Sequence, residues 1–262
     1  MNSIKNNEKL KIFLVLIFFI SFIAGFILRE NIAGGAESDF LKFTWPAIQG
    51  FKNNFFDTLI NYGKYGEGSL PLFHILNAYL NPFSYDPYAF QISISFISLL
   101  NVIVFSKILS NKYEINNLDS LLYASIFLIL PFFRSSAFWG LTENLGWLFL
   151  LLSIRYYFEF ENKFHTSKIK NIFLFCVFSS MALYTRPYLI FFPIFLVMKT
   201  FLDKDYSSLK YMILNYFILA IPGFLLLYLW GGEFKLGNGE VNLISDYHNP
   251  KFILKNLVIF SS

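Results

Sequence analysis

Two carboxylates stand directly behind a pair of glycines where the first apolar run of the chain ends. Gly34 and Gly35 permit a tight exit from a helix, and Glu37, Ser38 and Asp39 follow them. A carboxylate that no neighbouring charge neutralises can accept a proton from a hydroxyl nucleophile, the role of a general base. We expect one acid to act while the other supports it, because side chains two positions apart project differently. The alternative is that Ser38 or Asp39 caps the next helix.

Two arginines and one glutamate lie near the tips of two short apolar hairpins. Arg134 lies near the tip of the first hairpin, Glu143 lies on its returning helix, and Arg186 lies in the turn of the second. The second hairpin leaves roughly 14 residues per helix, about 21 Å, whereas the hydrocarbon core is about 30 Å thick. Its tip is therefore predicted to be recessed, where an ionisable group needs a partner or a cavity.

A recessed cavity lined by guanidinium groups suits an anionic head group, since arginine presents a planar, permanently charged fork that matches phosphate oxygens. Lipid-linked phosphates meet this description. The alternative for Arg134 and Arg186 is snorkelling to the interface. Glu143 is predicted either to pair with one of these arginines or to contact the substrate.

Two further residues of the stretch between the first two apolar runs are candidate substrate contacts. His74, beside Pro71, could contact a lipid phosphate or be a simple interfacial histidine, and Lys64 lies on a glycine-rich stretch that could close over a substrate. The histidines are isolated and Cys176 is the only cysteine. The sequence therefore predicts no metal site, no cofactor and no disulfide.

The composition of the 262 residues, 56% hydrophobic and only 15% charged, is more apolar than a soluble domain can bury. The apolar residues fall into separate blocks bounded by charges, which is typical of helices that cross a bilayer. The net charge of +4 comes from lysines scattered between these blocks. They are interpreted as topology signals, and nucleic acid is not an expected partner.

The fold class predicted from these blocks is all-α, a polytopic transmembrane helical bundle in a single domain over residues 1–262. The first run is longer than the apolar core of a signal peptide, and an uncleaved helix fits it better. Seven crossings are expected, near residues 12–28, 88–110, 119–135, 137–155, 170–185, 187–202 and 211–230.

The basic residues place the N-terminus in the cytoplasm and residues 29–87 in one long outer loop. Within this loop, "SLPLFHILNAYLNPF" is apolar but too short to cross, and it is predicted to form an interfacial or re-entrant helix ended by Pro82. The last residues, "PKFILKNLVIFSS", begin another apolar run that stops before it could cross. The chain is therefore expected to be truncated at its C-terminus.

The order of these parts resembles the GT-C class of integral membrane glycosyltransferases, particularly the protein O-mannosyltransferase and aminoarabinose-transferase-like superfamily of bacterial envelope enzymes. The matching pieces are "ESDF" after the first helix, "GEGSLPLFHILNAYLNPF" before the second span, "FFRSSAFWGLTENLGWLFLLLSIRYYFEF" at the first hairpin and "SSMALYTRPYLIFFPIFLVM" at the second. The resemblance covers nearly the whole chain and is chiefly one of order and topology.

The resemblance implies transfer of a sugar from a polyprenyl-phosphate donor to a glycan, lipid or protein acceptor at the outer face of the plasma membrane. The acceptor hydroxyl would lose its proton to Asp39, its oxygen would attack the anomeric carbon, and the lipid phosphate would leave toward Arg134 or Arg186. This scheme requires no metal. Many members have an adjacent acidic pair where this chain has Glu37-Ser38-Asp39, so either acid could be the base.

Two other functions are alternatives. A transporter or lipid flippase would use broken helices and charges within the membrane. An envelope polysaccharide polymerase or ligase would also need outward arginines for lipid phosphates, but it would not depend on the first-loop carboxylate.

Overall fold

A computed structural model describes residues 2–31, 34–65, 68–161 and 168–231 of this protein. In these residues the chain is all-helical and contains no strand. The all-α class predicted from the apolar blocks is confirmed. The apolar C-terminal run, on which the expected truncation was based, lies outside the described residues.

The described parts of the chain contain five long helices and seven shorter ones. The long helices are α1 (Asn2–Ile27), α6 (Pro87–Tyr113), α9 (Glu143–Glu161), α10 (Lys168–Thr185) and α12 (Tyr206–Leu229). The shorter helices are α2 (Ala36–Asp39), α3 (Trp45–Asn53), α4 (Phe55–Ile60), α5 (Leu72–Leu80), α7 (Asn117–Ser125), α8 (Pro131–Trp139) and α11 (Phe191–Leu202). A π turn occupies Phe40–Thr44, and 3-10 turns occupy Tyr62–Lys64, Ile126–Ile129 and Pro187–Ile190.

Three of the described helices are long and apolar enough to cross a membrane: Glu8–Ile27 within α1, then α6 and α12. A fourth span is obtained if the bent pair Asn117–Ile129 and Pro131–Trp139 is counted as one. These correspond to the first, second, seventh and third of the predicted crossings. The other three predicted crossings are helical, but they do not meet the same test, so the count of seven stays a prediction.

The predicted crossing at residues 119–135 is not one straight helix, because the chain bends by 72° between Ile129 and Pro131. Proline lacks an N–H donor and disfavours helical backbone in the residue before it, and Leu130 is accordingly extended. The next predicted crossing begins late for a related reason. Gly140, at φ +66°, ends α8, so the following helix starts at Glu143 rather than near residue 137. The short helix α8 is therefore separated by the bend at Leu130 from the helical segment before it, and by the turn at Gly140 from α9.

Buried amides join α6 to α9 in the middle of the apolar core. The Asn144 amide donates to Ser98 Oγ at 2.7 Å and to the carbonyl of Phe133 at 2.9 Å. The Asn101 amide donates to the carbonyl of Asn144 at 3.0 Å. Hydrogen bonds of this kind hold apolar helices together where burial in lipid offers no driving force. They fix the start of α9 against α6 and α8.

The long segment between α1 and α6 carries several helices, as the sequence predicted. The predicted apolar helix is α5, which ends at Leu80, two residues before Pro82. It packs against α3 and α10 and buries Phe73 and His74 completely. One face of α5 therefore belongs to the protein core.

Candidate functional site

The chain leaves α1 through a tight turn that both predicted glycines make possible. Gly34 and Gly35 adopt φ angles of +69° and +73°, which other residues rarely tolerate. The Asn31 side chain accepts a hydrogen bond from the backbone N–H of Ala36 at 3.2 Å and closes the turn. The two predicted acids thus follow on a short helix rather than in an extended loop.

The prediction that Ser38 or Asp39 caps this helix is wrong. The N-cap of α2 is Gly35, and Asp39 is the last residue of the helix, which continues into the π turn. Glu37 is exposed and Asp39 is partly exposed, and neither carboxylate makes a hydrogen bond or ion pair within the described residues. Helix α2, which ends at Asp39, contacts α8.

Arg134 is buried in α8 and clamps it to α1. Its Nε and Nη2 atoms lie 2.9 and 2.6 Å from the Glu30 carboxylate. The remaining N–H groups donate to the side chain and carbonyl of Ser21, both at 2.9 Å, and to the carbonyl of Leu128 at 3.3 Å. A Cβ atom on Gly25 would clash with Nη2, so glycine is required where the guanidinium meets α1. All five donors of the predicted phosphate ligand are therefore engaged inside the protein.

Sequence reasoning missed Glu30, the partner of Arg134. Glu30 lies two residues after the end of the first apolar run and precedes both acids that were singled out. Its backbone carbonyl also accepts a hydrogen bond from Trp139 Nε1 at 3.0 Å. The signal that could have found it was position: a carboxylate at the end of a membrane helix needs a cation, and Arg134 was predicted at the same membrane surface.

Arg186 forms an ion pair with Glu143. The sequence predicted that Glu143 would pair with one of the two arginines, and this pairing is present. Glu143 is in the first turn of α9, where the partial positive charge of the helix N-terminus favours a carboxylate. Its second oxygen accepts from Ser136 Oγ of α8 at 3.1 Å. The pair therefore links α9, α8 and the turn after α10.

His74 is buried close enough to Arg186 to feel its charge. Burial, assisted by the Arg186 guanidinium, lowers the pKa of His74 to about 3, so the ring is neutral at physiological pH. Its Nδ1 atom lies 2.8 Å from the Tyr62 hydroxyl, which lies 3.2 Å from Ser69 Oγ. Its Nε2 atom has no hydrogen-bond partner in the parts of the chain that are described. The structure thus brings His74 into the same region as the Glu143–Arg186 pair.

Among the predicted site residues, Lys64 is the one whose surroundings give the least support to its predicted role. It ends the 3-10 turn Tyr62–Lys64 and its side chain is exposed. Within the described residues its ammonium group makes no ion pair, and no contact joins it to Arg186 or Glu143. Its role in closing over a substrate stays a prediction.

An apolar groove of about 710 Å³ lies between α10, the segment Pro187–Met198 and α12. Sequence reasoning missed it, because three separate segments form its walls. Tyr184 and Pro187, on either side of Arg186, contribute to its lining. The other lining side chains are almost all aliphatic or aromatic. A long hydrocarbon chain is the kind of ligand that such a surface accommodates.

No protein family model matches this chain, and no curated protein or solved structure matches it either. The described residues contain no group of three histidine, cysteine, aspartate or glutamate side chains that could hold a metal ion. The features of the chain that indicate a function are therefore Asp39, the Glu143–Arg186 pair and the apolar groove.

Proposed function

We propose that this protein is a polytopic membrane glycosyltransferase that uses a polyprenyl-phosphate sugar as donor. The observation that carries this proposal is the position of Arg186 between two residues that line the apolar groove. A polyprenyl phosphate has a long apolar chain and an anionic head, so it matches an apolar groove whose adjoining turn carries an arginine. The acceptor is a glycan, lipid or protein at the outer face of the plasma membrane.

In the proposed reaction, Asp39 is the general base. It removes the proton from an acceptor hydroxyl, the oxygen forms a bond to the anomeric carbon of the sugar, and the bond from that carbon to the lipid phosphate breaks. The phosphate keeps the electron pair, and Arg186 stabilises the charge that develops on it. Glu37, exposed two residues before Asp39, supports the base, and no metal takes part.

Helix α8 is what connects the proposed base to the proposed phosphate ligand. The acidic helix α2 contacts α8, and Ser136 of α8 donates to Glu143, the partner of Arg186. Arg134 has a different role in this proposal from the one that the sequence implied. Because its donors are occupied by Glu30, Ser21 and Leu128, it positions α8 and leaves phosphate binding to Arg186.

The donor assignment can be tested by native mass spectrometry of the full chain with undecaprenyl phosphate and with undecaprenol. We expect the phosphate to increase affinity about tenfold, and Arg186→Ala to remove this difference. Arg155→Ala is the matched control, since Arg155 lies near the other end of α9 and pairs with Glu159. Equal affinity of the unaltered protein for both lipids contradicts the proposal.

The base can be tested by transfer from a panel of radiolabelled polyprenyl-phosphate sugars in membranes that contain the protein. Asp39→Asn is expected to abolish transfer without changing membrane insertion. Asp57→Asn is the control, because Asp57 is another exposed acid of the outer segment. Full activity of Asp39→Asn rejects this residue as the base, and Glu37→Gln then tests its neighbour.

A lipid flippase is a second candidate function, and the bends in the helices favour it. The 72° break before Pro131 and the proline inside α12 are the kind of helix interruption that transporters use. Translocation of a fluorescent polyprenyl phosphate across proteoliposomes, unaffected by Asp39→Asn, would favour the flippase over the transferase.

A further inference from the structure

The Tyr184 hydroxyl is inserted into the hydrogen-bond ladder of α12. It donates to the carbonyl of Leu219 at 2.7 Å and accepts from the backbone N–H of Gly223 at 2.9 Å. These are the two groups that bond each other in a regular α-helix. Pro222 directly precedes Gly223. It has no N–H that could donate to the carbonyl one turn earlier in the helix. Helix α12 is therefore weakened at one point, and a side chain of α10 supports it there.

Gly223 makes this insertion possible. A Cβ atom at this position would lie 3.0 Å from the Tyr184 hydroxyl oxygen, closer than ordinary contact. Prolines and inserted side chains are the usual causes of helix bends, and both occur here within two residues. Pro222 and Gly223 together thus have the properties of a hinge.

Helix α12 packs along one side only, mainly against α10 and α11. Its other side is exposed and includes Phe217, Phe224 and Tyr228. Below the hinge, the Tyr216 hydroxyl lies 2.9 Å from Ser179 Oγ. Above it, Trp230 donates to the carbonyl of Leu59 at 2.8 Å and stacks on Tyr62 at 6.1 Å. The hinge therefore lies between two separate points at which α12 is attached to neighbouring segments.

The hinge lies in the wall of the apolar groove. Leu219, Gly223 and Leu227 of α12 line one side of the groove, and Tyr184 of α10 lines the other. A change in the angle of α12 at the hinge would therefore change the width of the groove.

We propose that α12 is the lateral gate of this groove, hinged at Pro222–Gly223 and latched by the Tyr184 hydroxyl. When the hydroxyl withdraws, Gly223 N–H bonds directly to Leu219 O, and the segment of α12 beyond Pro222 tilts away from α10. Tyr184 is two residues before Arg186. A head group bound at Arg186 and a lipid chain passing the gate would therefore both contact the turn that contains these two residues. The gate rests on the proposed function only in that its occupant is a polyprenyl chain.

The gate can be tested by distances between spin labels on the full chain in phosphatidylcholine nanodiscs. Labels are placed at Phe173→Cys in α10 and Leu225→Cys in α12, both exposed side chains, in a Cys176→Ser background. Tyr184→Phe is expected to increase the population with the longer distance at least fivefold. Tyr228→Phe is the matched control, since it removes a hydroxyl from an 83% exposed tyrosine of the same helix.

The double variant Tyr184→Phe with Pro222→Ala distinguishes movement at the hinge from a general loss of packing. Alanine restores an N–H at position 222, so the longer population is expected to disappear again. An unchanged distance distribution in Tyr184→Phe, or a double variant as broad as the single one, overturns the gate. These distances need no polyprenyl phosphate. If they change as expected while the unaltered protein fails to bind undecaprenyl phosphate, the donor assignment fails and the gate stands.

Discussion

Breaking the ion pair between Arg134 and Glu30 is expected to destabilise the protein by an amount that depends on which partner is removed. The Arg134 side chain is only 7% exposed, whereas that of Glu30 is 27% exposed. If Glu30 is removed, a buried guanidinium loses its counterion and cannot reach water. If Arg134 is removed, the glutamate that is left can turn toward solvent. Glu30→Ala should therefore be the more damaging substitution.

The magnitudes follow from burial. Removing one partner of a buried pair costs about 3–5 kcal/mol, and the surviving hydrogen bonds from Arg134 to Ser21 and Leu128 place Glu30→Ala near the lower limit, about 3 kcal/mol. Arg134→Met keeps the apolar stem and loses those hydrogen bonds, each of which contributes about 0.5–1.5 kcal/mol, so a loss of about 2 kcal/mol is expected. The double variant Glu30→Gln with Arg134→Met removes both charges and should be less damaging than Glu30→Ala.

Equilibrium unfolding of the purified protein in mixed detergent micelles measures these differences. Gly25→Ala is an independent probe of the same contact, because its methyl group would clash with Arg134 Nη2. It should destabilise the protein although it changes no charge. The description of Arg134 as a buried clamp would be refuted if Arg134→Met destabilised the protein more than Glu30→Ala. It would also be refuted if Gly25→Ala had no effect on stability.

Three further predictions concern single positions. Because the folded pKa of His74 lies near 3, below the value of about 6.5 in the unfolded chain, stability should fall by up to about 1.4 kcal/mol per pH unit as pH drops from 6.5 toward 3, and His74→Leu should abolish that slope. Gly140→Ala should cost about 2 kcal/mol or more, since its Cβ would lie 2.7 Å from Phe90, whereas Gly34→Ala, with open space around it, should cost about 1 kcal/mol in the same unfolding assay. Asp205 caps α12, and its hydrogen bond from Lys168 lowers its pKa to about 2; Asp205→Ala should cost about 1 kcal/mol at pH 7, and the difference should shrink as pH falls from 4 toward 2.

The apolar runs were sufficient to predict the long helices. Helices α1, α6 and α12 each exceed the length that a bilayer requires, and each contains one of the apolar runs of the sequence. The tight turn after α1 was also predictable, because two consecutive glycines follow the apolar run. Local chemistry determines these features, so a single sequence contains enough information to find them.

The partners of the predicted site residues could not be identified in the same way. Glu30 and Arg134 are separated by 104 positions, and Glu143 and Arg186 by 43. The sequence indicated that each arginine needs a partner, but which carboxylate reaches it depends on how α1, α8 and α9 pack. The groove is hidden for the same reason, since its walls come from α10, α11 and α12. The bend before Pro131, by contrast, was visible in the sequence as a proline inside the predicted crossing at residues 119–135.

The broken helix explains how one short segment can serve both parts of the proposed site. Arg134 and Ser136 are two positions apart on α8, a rotation of about 200° around the helix axis, so their side chains leave on opposite faces. One reaches Glu30 of α1, and the other reaches Glu143 of α9. A straight crossing through residues 119–135 would have kept this stretch parallel to its neighbours. The bend instead places α8 between two segments. One is the exit of α1, which leads to Asp39, and the other is the start of α9, where Glu143 pairs with Arg186. The proline break is therefore the feature of the backbone on which the geometry of the proposed site depends.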